Sequence, residues 1–291
     1  MYKILTFTLI SISFIFSSAA QEIKPLSKKP YSRKGEKFFF WGYNRSEYAK
    51  SDITFRGKGY DFTLHNATAK DLPIPFSADV YFDITRLSVP QYNIRYGYFF
   101  SDHWSISIGS DHMKYVMDDN QVLEVSGHIS AQVSDPAITV NPEYVGDFNH
   151  TPKLIRPEDF LHYEHTDGFN YLHLELDRYD RLWKAKNNIQ GIDWLVGVGA
   201  GTIIPRTDSH LFTIGRNNHF NFAGYGVSLK TGLRFDLSRR FFLQTDVKGG
   251  FTRLNHVHTT GRDSDYAQQS IWFGEFYGVL GYKFGKNRIN K

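Results

Sequence analysis

The 291 residues contain no cysteine, which removes any disulfide framework and any lipidated cysteine behind a leader, so the mature chain is not expected to be a lipoprotein. Long apolar runs are also scarce. Beyond Gln21 no stretch stays apolar for the length a membrane helix requires, and a mean hydropathy of -0.41 speaks against a helical bundle in lipid. Charge of one sign is lacking too: 34 Lys and Arg stand against 30 Asp and Glu, interleaved along the chain. The pI near 9.0 therefore does not mark a nucleic-acid partner. Glycine-rich phosphate cradles, zinc-ligand spacing and the Gly-x-Ser-x-Gly elbow are missing, so neither a cofactor nor a metal is expected.

What the chain has begins with Lys3, an apolar run from Ile4 to Phe16, and small residues Ser18 and Ala20 ahead of Gln21. This pattern predicts a cleaved signal peptide over 1–20, because the run is short for a spanning helix and ends as a signal peptidase requires. Residues 21–35 read as an N-terminal periplasmic segment. Residues 36–291 read as one domain, with no linker to divide it.

Aromatics make up 16% of the chain, with 25 Phe and 18 Tyr, the ring content that barrel strands use as girdles at both membrane interfaces. Strict alternation follows. From Phe220 to Asp236, Tyr225, Val227, Leu229 and Leu233 oppose Gly226, Ser228, Lys230 and Arg234. Phe241, Leu243 and Val247 then oppose Gln244, Asp246 and Lys248 after a short Leu237-Ser238-Arg239 connection. The same period of two marks Ile192 to Ala200, Trp272 to Phe284, Gln91 to Phe100, His103 to Met117 and Phe160 to Leu182. Phe38 to Arg45, Ile53 to His65 and, less clearly, Val80 to Ile84 are strand-like, with a bulge expected at Gly57 and Gly59. Strands of this length speak against a soluble β-sandwich. The expected fold is all-β, an antiparallel up-and-down transmembrane β-barrel of about ten strands, with eight to twelve open and a hairpin of Val122 to Ser130 and Ala137 to Val145 either spanning or standing outside. Short turns near Ser101 and Leu237 read as periplasmic; the regions 205–219 and 255–267, with part of 118–159, read as extracellular. The expected location is the outer membrane of a Gram-negative bacterium.

If the apolar faces meet lipid, the opposite faces send Arg95, Asp111, Glu175, Asp177, Asp193, Lys230, Arg234, Asp246, Lys248 and Glu275 into the lumen. Both signs are present, and unpaired buried charge is costly, so a plug of paired charges is expected rather than a wide pore. Catalytic candidates cluster at His162-Tyr163-Glu164-His165-Thr166-Asp167. On a strand the two histidines point to opposite faces and cannot share a metal. His165 and Asp167 form a candidate base and orienting carboxylate, with Glu164 and Asp111 as further acidic candidates. His256 and His258 with Asp263 and Asp265 would make at most a weak surface metal site.

Three segments, Trp41-Gly42-Tyr43-Asn44-Arg45, Asp111-His112-Met113-Lys114-Tyr115-Val116 and His165-Thr166-Asp167-Gly168-Phe169-Asn170-Tyr171, resemble a family of outer-membrane barrels from Bacteroidetes-type bacteria. The resemblance spans most of the mature chain. It implies fold and compartment and carries over no functional residue. A fainter resemblance is to the lipid A 3-O-deacylases, small barrels with a His-x-Ser motif and a glutamate; it would place a site near His165, but Asp167 stands where the nucleophilic serine would be. The omptin barrel proteases are similar in size and use an Asp-His pair; Asp208 and His210 have that spacing, without an aspartate pair on an earlier strand. The leading expectation is a non-enzymatic surface barrel, structural or binding an envelope partner, lipopolysaccharide or a small solute. A lipid A-modifying hydrolase is the alternative. Outer-membrane lipid and lipopolysaccharide, and another envelope protein, are the expected partners.

Overall fold

The computed structural model describes residues 32–81, 83, 89–186 and 189–285, excepting the side chains at 167 and 216–218. The expected signal peptide lies outside the described residues. In chain order the elements are β1 (Lys37–Tyr48), β2 (Ser51–Gly57), β3 (Tyr60–Ala67), β4 (Ala69–Lys70), α1 (Ala78–Tyr81), β5 (Tyr92–Phe99), β6 (Trp104–Met117), β7 (Val122–Ile129), β8 (Gln132–Val133), β9 (Ile138–Thr139), β10 (Gly146–Leu154), β11 (Leu161–Lys184), β12 (Gly191–Leu211), β13 (Ile214–Phe220), β14 (Gly224–Asp236), β15 (Phe241–His258) and β16 (Tyr266–Phe284).

Fourteen strands join one sheet, against about ten expected. The order β1-β5-β6-β11-β12-β14-β15-β16, with β16 pairing back to β1, closes a ring of eight antiparallel strands. The others extend the wall upward. β2 prolongs β1 along β16, with Tyr48 opposite Phe273 and Ile53 opposite Gln269. β3 and β4 descend beside β2 and β6, and the chain then returns to the wall as β5. Beyond the ring the order β2-β3-β7-β10 builds a four-stranded rise. The extra hairpin thus stands beyond the eight-stranded ring, and its arms differ from the expected ones: β7 pairs with Gly146–Leu154, while the 132–139 stretch forms a separate two-stranded sheet. Gly57 ends β2 opposite Tyr60 and Gly59 lies in the turn between them, with no bulge at either, Gly59 having φ +82° where a side chain is disfavoured. Of the stretch Val80 to Ile84 expected to be strand-like, Val80 and Tyr81 are helical, within α1, while residues 82 and 84 lie outside the described residues.

The exterior and interior are inverted relative to a soluble protein. Leu229 is 65% exposed and Val247 59%, whereas Arg234 and Lys248 are 0% exposed; only a lipid solvent makes that distribution stable. Phe39, Tyr96, Ile108, Leu174, Val198 and Phe276 complete the exposed apolar belt. No helix among the described residues is long and apolar enough to cross a membrane, and closed strands do the crossing here. Inside, aromatic and apolar residues fill two regions. Phe38, Phe40, Phe99, Tyr179, Leu195, Phe242, Tyr277 and Val279 pack within the ring. A larger core including Phe55, Phe62, Tyr115, Phe160, Tyr163 and Phe212 fills the extension beyond the ring.

Candidate functional site

The lumen holds its charges in two layers. In the upper one, Arg95 on β5 reaches Asp111 on β6 (2.5 Å) and Glu175 on β11 (3.0 Å). Lys248 on β15 reaches the same two carboxylates at 2.5 and 2.9 Å, with Glu275 at 3.8 Å. Lys230 on β14 joins Glu175 (2.6 Å), Asp177 (3.1 Å) and Asp246 (3.9 Å). Alternation explains why these side chains face inward, and the buried pairing offsets their desolvation. Asn93 donates to both Asp111 (2.6 Å) and Glu275 (2.8 Å), and His173 Nε2 lies 2.6 Å from Arg95.

The lower layer sits at the end bearing the short turns. Asp193 pairs with Arg33 and, at 2.5 Å, with Arg181. Asp236 gathers Arg181 (2.9 Å), Lys283 (2.9 Å) and Arg234 (3.4 Å). Arg234 also reaches Glu36 (3.3 Å) and stands 3.7 Å from the centre of the Phe242 ring, a cation held between carboxylates and an aromatic face. All ten lumen residues named from the sequence are buried, at 4% exposure or less. They fall into these two layers rather than one network. His173, Asn93 and Lys283 continue the inward alternation and carried a signal. Arg33 and Glu36 precede the first strand and carried none; Arg33 belongs to the segment expected to be periplasmic, and its buried guanidinium pairs with the lumen carboxylates Asp193 and Asp236.

The catalytic candidates do not converge. His165 is fully buried in the core of the extension, between Phe169, Tyr163 and Tyr115. Its Nδ1 lies 2.9 Å from Thr207 Oγ1, and burial pushes its pKa down to about 3, leaving a neutral ring at ordinary pH. Glu164 points the other way, accepting from Thr166 Oγ1 at 2.6 Å. The side chain of Asp167 lies outside the described residues. Asp111 pairs in register with Tyr171, whereas His165 pairs with Tyr115; four residues along β6 separate the two levels, about 13 Å at strand rise. On the outer face His162 contacts Asp119 (3.1 Å) and Glu164 (3.5 Å), which raise its pKa to about 9. Asp208 and His210 lie 3.3 Å apart beside them. Among the described residues no three His, Asp or Glu side chains are grouped to hold a metal ion.

A closed antiparallel ring, apolar outside and charged inside, decides the class. The chain is a membrane-spanning β-barrel of the bacterial outer-membrane type. Solved structures similar to it include the outer membrane protein OprG from Pseudomonas aeruginosa, at 11% identity and TM-score 0.40, covering 87% of this chain and 98% of that one. Others are Ail of Yersinia pestis, solved with the heparin analogue sucrose octasulfate (10%, TM-score 0.30, 86% and 99%), and the protease OmpT from Escherichia coli (8%, TM-score 0.35, 90% and 99%). No protein-family model matches the chain, and neither does any curated protein. The resemblances to a Bacteroidetes-type family and to the deacylases therefore gain nothing from these comparisons.

Proposed function

We propose that this barrel closes its own lumen and serves at the outer-membrane surface as a non-enzymatic protein, structural or recognising an envelope partner. The observation that carries this reading is the cross-lumen pairing of Arg95, Lys230 and Lys248 with Asp111, Glu175, Asp177, Asp246 and Glu275. An open aqueous channel would leave such side chains hydrated and apart; here they interlock at 4% exposure or less. The reading also draws on His165, a neutral ring enclosed by aromatic residues and withdrawn from any approaching substrate. Lipopolysaccharide and outer-membrane lipid are then its immediate neighbours, and the rise of β2, β3, β7 and β10 is what it offers to another envelope protein.

The purified protein in a planar bilayer tests the closed lumen: no discrete conductance is expected, and stepwise openings would overturn it. Mass spectrometry of lipid A from cells with and without the protein tests the alternative. Unchanged acyl chains are expected; a lost acyl group would establish the hydrolase instead.

A further inference from the structure

A cleft of about 520 Å³ opens at the turn joining β14 to β15, walled by Ile189, Gln190, Leu237, Arg239, Arg240 and Phe241. Its position is set by the barrel. Leu237 is 46% and Phe241 47% exposed at the edge of the apolar belt, and Phe241 packs on Tyr282 with ring centres 5.3 Å apart, an aromatic girdle at the membrane boundary. The arginines differ from their neighbours. Arg33, Arg181 and Arg234 sit on lumen carboxylates, and Arg178 on Asp180 at 2.9 Å. Among the described residues Arg239 has no carboxylate partner, and the Arg240 guanidinium donates only to the Tyr282 hydroxyl, at 3.1 Å. The turn itself is firm, since Ser238 Oγ accepts from the backbone N–H groups of Arg240 (3.2 Å) and Phe241 (2.9 Å).

Two guanidinium groups with no carboxylate among the described residues, above an apolar wall facing lipid, match one chemistry: a phosphodiester bearing net negative charge with acyl chains attached. We propose that this cleft holds an anionic phospholipid of the periplasmic leaflet, its phosphate on Arg239 and Arg240 and a chain along Leu237 and Phe241. Guanidinium forks engage phosphate in two-point fashion, which a mobile ammonium does not. The inference rests on reading the short-turn end as periplasmic, but binding in detergent does not depend on orientation, so the two can fail separately.

The test is native mass spectrometry of the detergent-solubilised barrel titrated with phosphatidylglycerol or phosphatidylethanolamine of equal chain length. One phosphatidylglycerol is expected to be retained in preference to phosphatidylethanolamine. Replacing Arg239→Gln or Arg240→Gln should each lower that retention about five-fold, the effect of one basic residue at a lipid surface, while Lys34→Gln, an equal charge change elsewhere, should leave it unaltered. Equal retention of the two lipids by the unaltered protein would overturn the proposal, whatever the variants do. So would an equal loss in Lys34→Gln, which would reduce the effect to general charge.

Discussion

Arg95 and Glu175 meet across the lumen at 3.0 Å although β6 lies between their strands. The contact exists because Gly109 stands opposite both Arg95 and His173 in the register. Any Cβ there would collide with the Arg95 side chain and with the carbonyl of Ile94. A missing side chain on one strand thus lets its two neighbours pair over it.

Replacing Gly109→Val should therefore displace Arg95 and destabilise the barrel. Gly274→Val, on β16 where an added Cβ meets nothing within 4 Å, should be tolerated. Urea unfolding in lipid vesicles, followed by tryptophan fluorescence, reads the difference. Equal midpoints for the two variants would show that the Arg95 passage is not tight.

Removing the guanidinium by Arg95→Met leaves Asp111 and Glu175 buried with less compensation. Breaking one partner from such a set costs about 3–5 kcal/mol, so the same unfolding assay should show a loss of that order. A loss below about 1 kcal/mol would mean that water reaches the lumen and solvates the orphaned carboxylates.

His162 supplies a pH dependence. Its pKa is raised to about 9 by Glu164 and Asp119, so the native state holds the proton more tightly than the unfolded chain. The stabilisation is complete below the ordinary histidine value near 6.5 and is lost as pH rises through about 9. Proton NMR of the imidazole should place its titration in that window, and His162→Gln should flatten the stability change between pH 6 and 10. A midpoint near 6.5 would remove both contacts from solution.

His165 has the opposite sign. Burial holds its folded pKa near 3, so the unfolded chain gains a proton first and stability falls as pH drops from about 6.5 towards 3. Replacing His165→Phe should abolish that acid sensitivity while costing about 1 kcal/mol for the Thr207 contact. Retained acid sensitivity in the variant would assign it to carboxylates elsewhere.

The inward residues were legible because alternation on a strand fixes the face of a side chain without reference to any partner. Lys230, Arg234, Asp246 and Lys248 needed only their own neighbours in sequence. His162 and His165 were likewise correctly sent to opposite faces. The catalytic cluster failed for a related reason: alternation says nothing about height, so Asp111 and His165 read as companions although one lies in the charged layer and the other in the apolar extension. The strand count failed because β2 and β3 alternate much as the spanning strands do and differ in where their partners end, while β10, broken by a register shift between Phe148 and Thr151, shows no clean alternation to read.

The amino-acid order alone determined a barrel-forming pattern, its greasy and charged faces and the short turns, since each is a property of a few adjacent residues. Ring closure at eight strands, the sorting of charges into two layers and the isolation of Arg239 and Arg240 from carboxylates were decided only by the folded wall. Each depends on which distant strands lie side by side, and period two leaves that choice open until hydrogen-bonding register and strand length are set together.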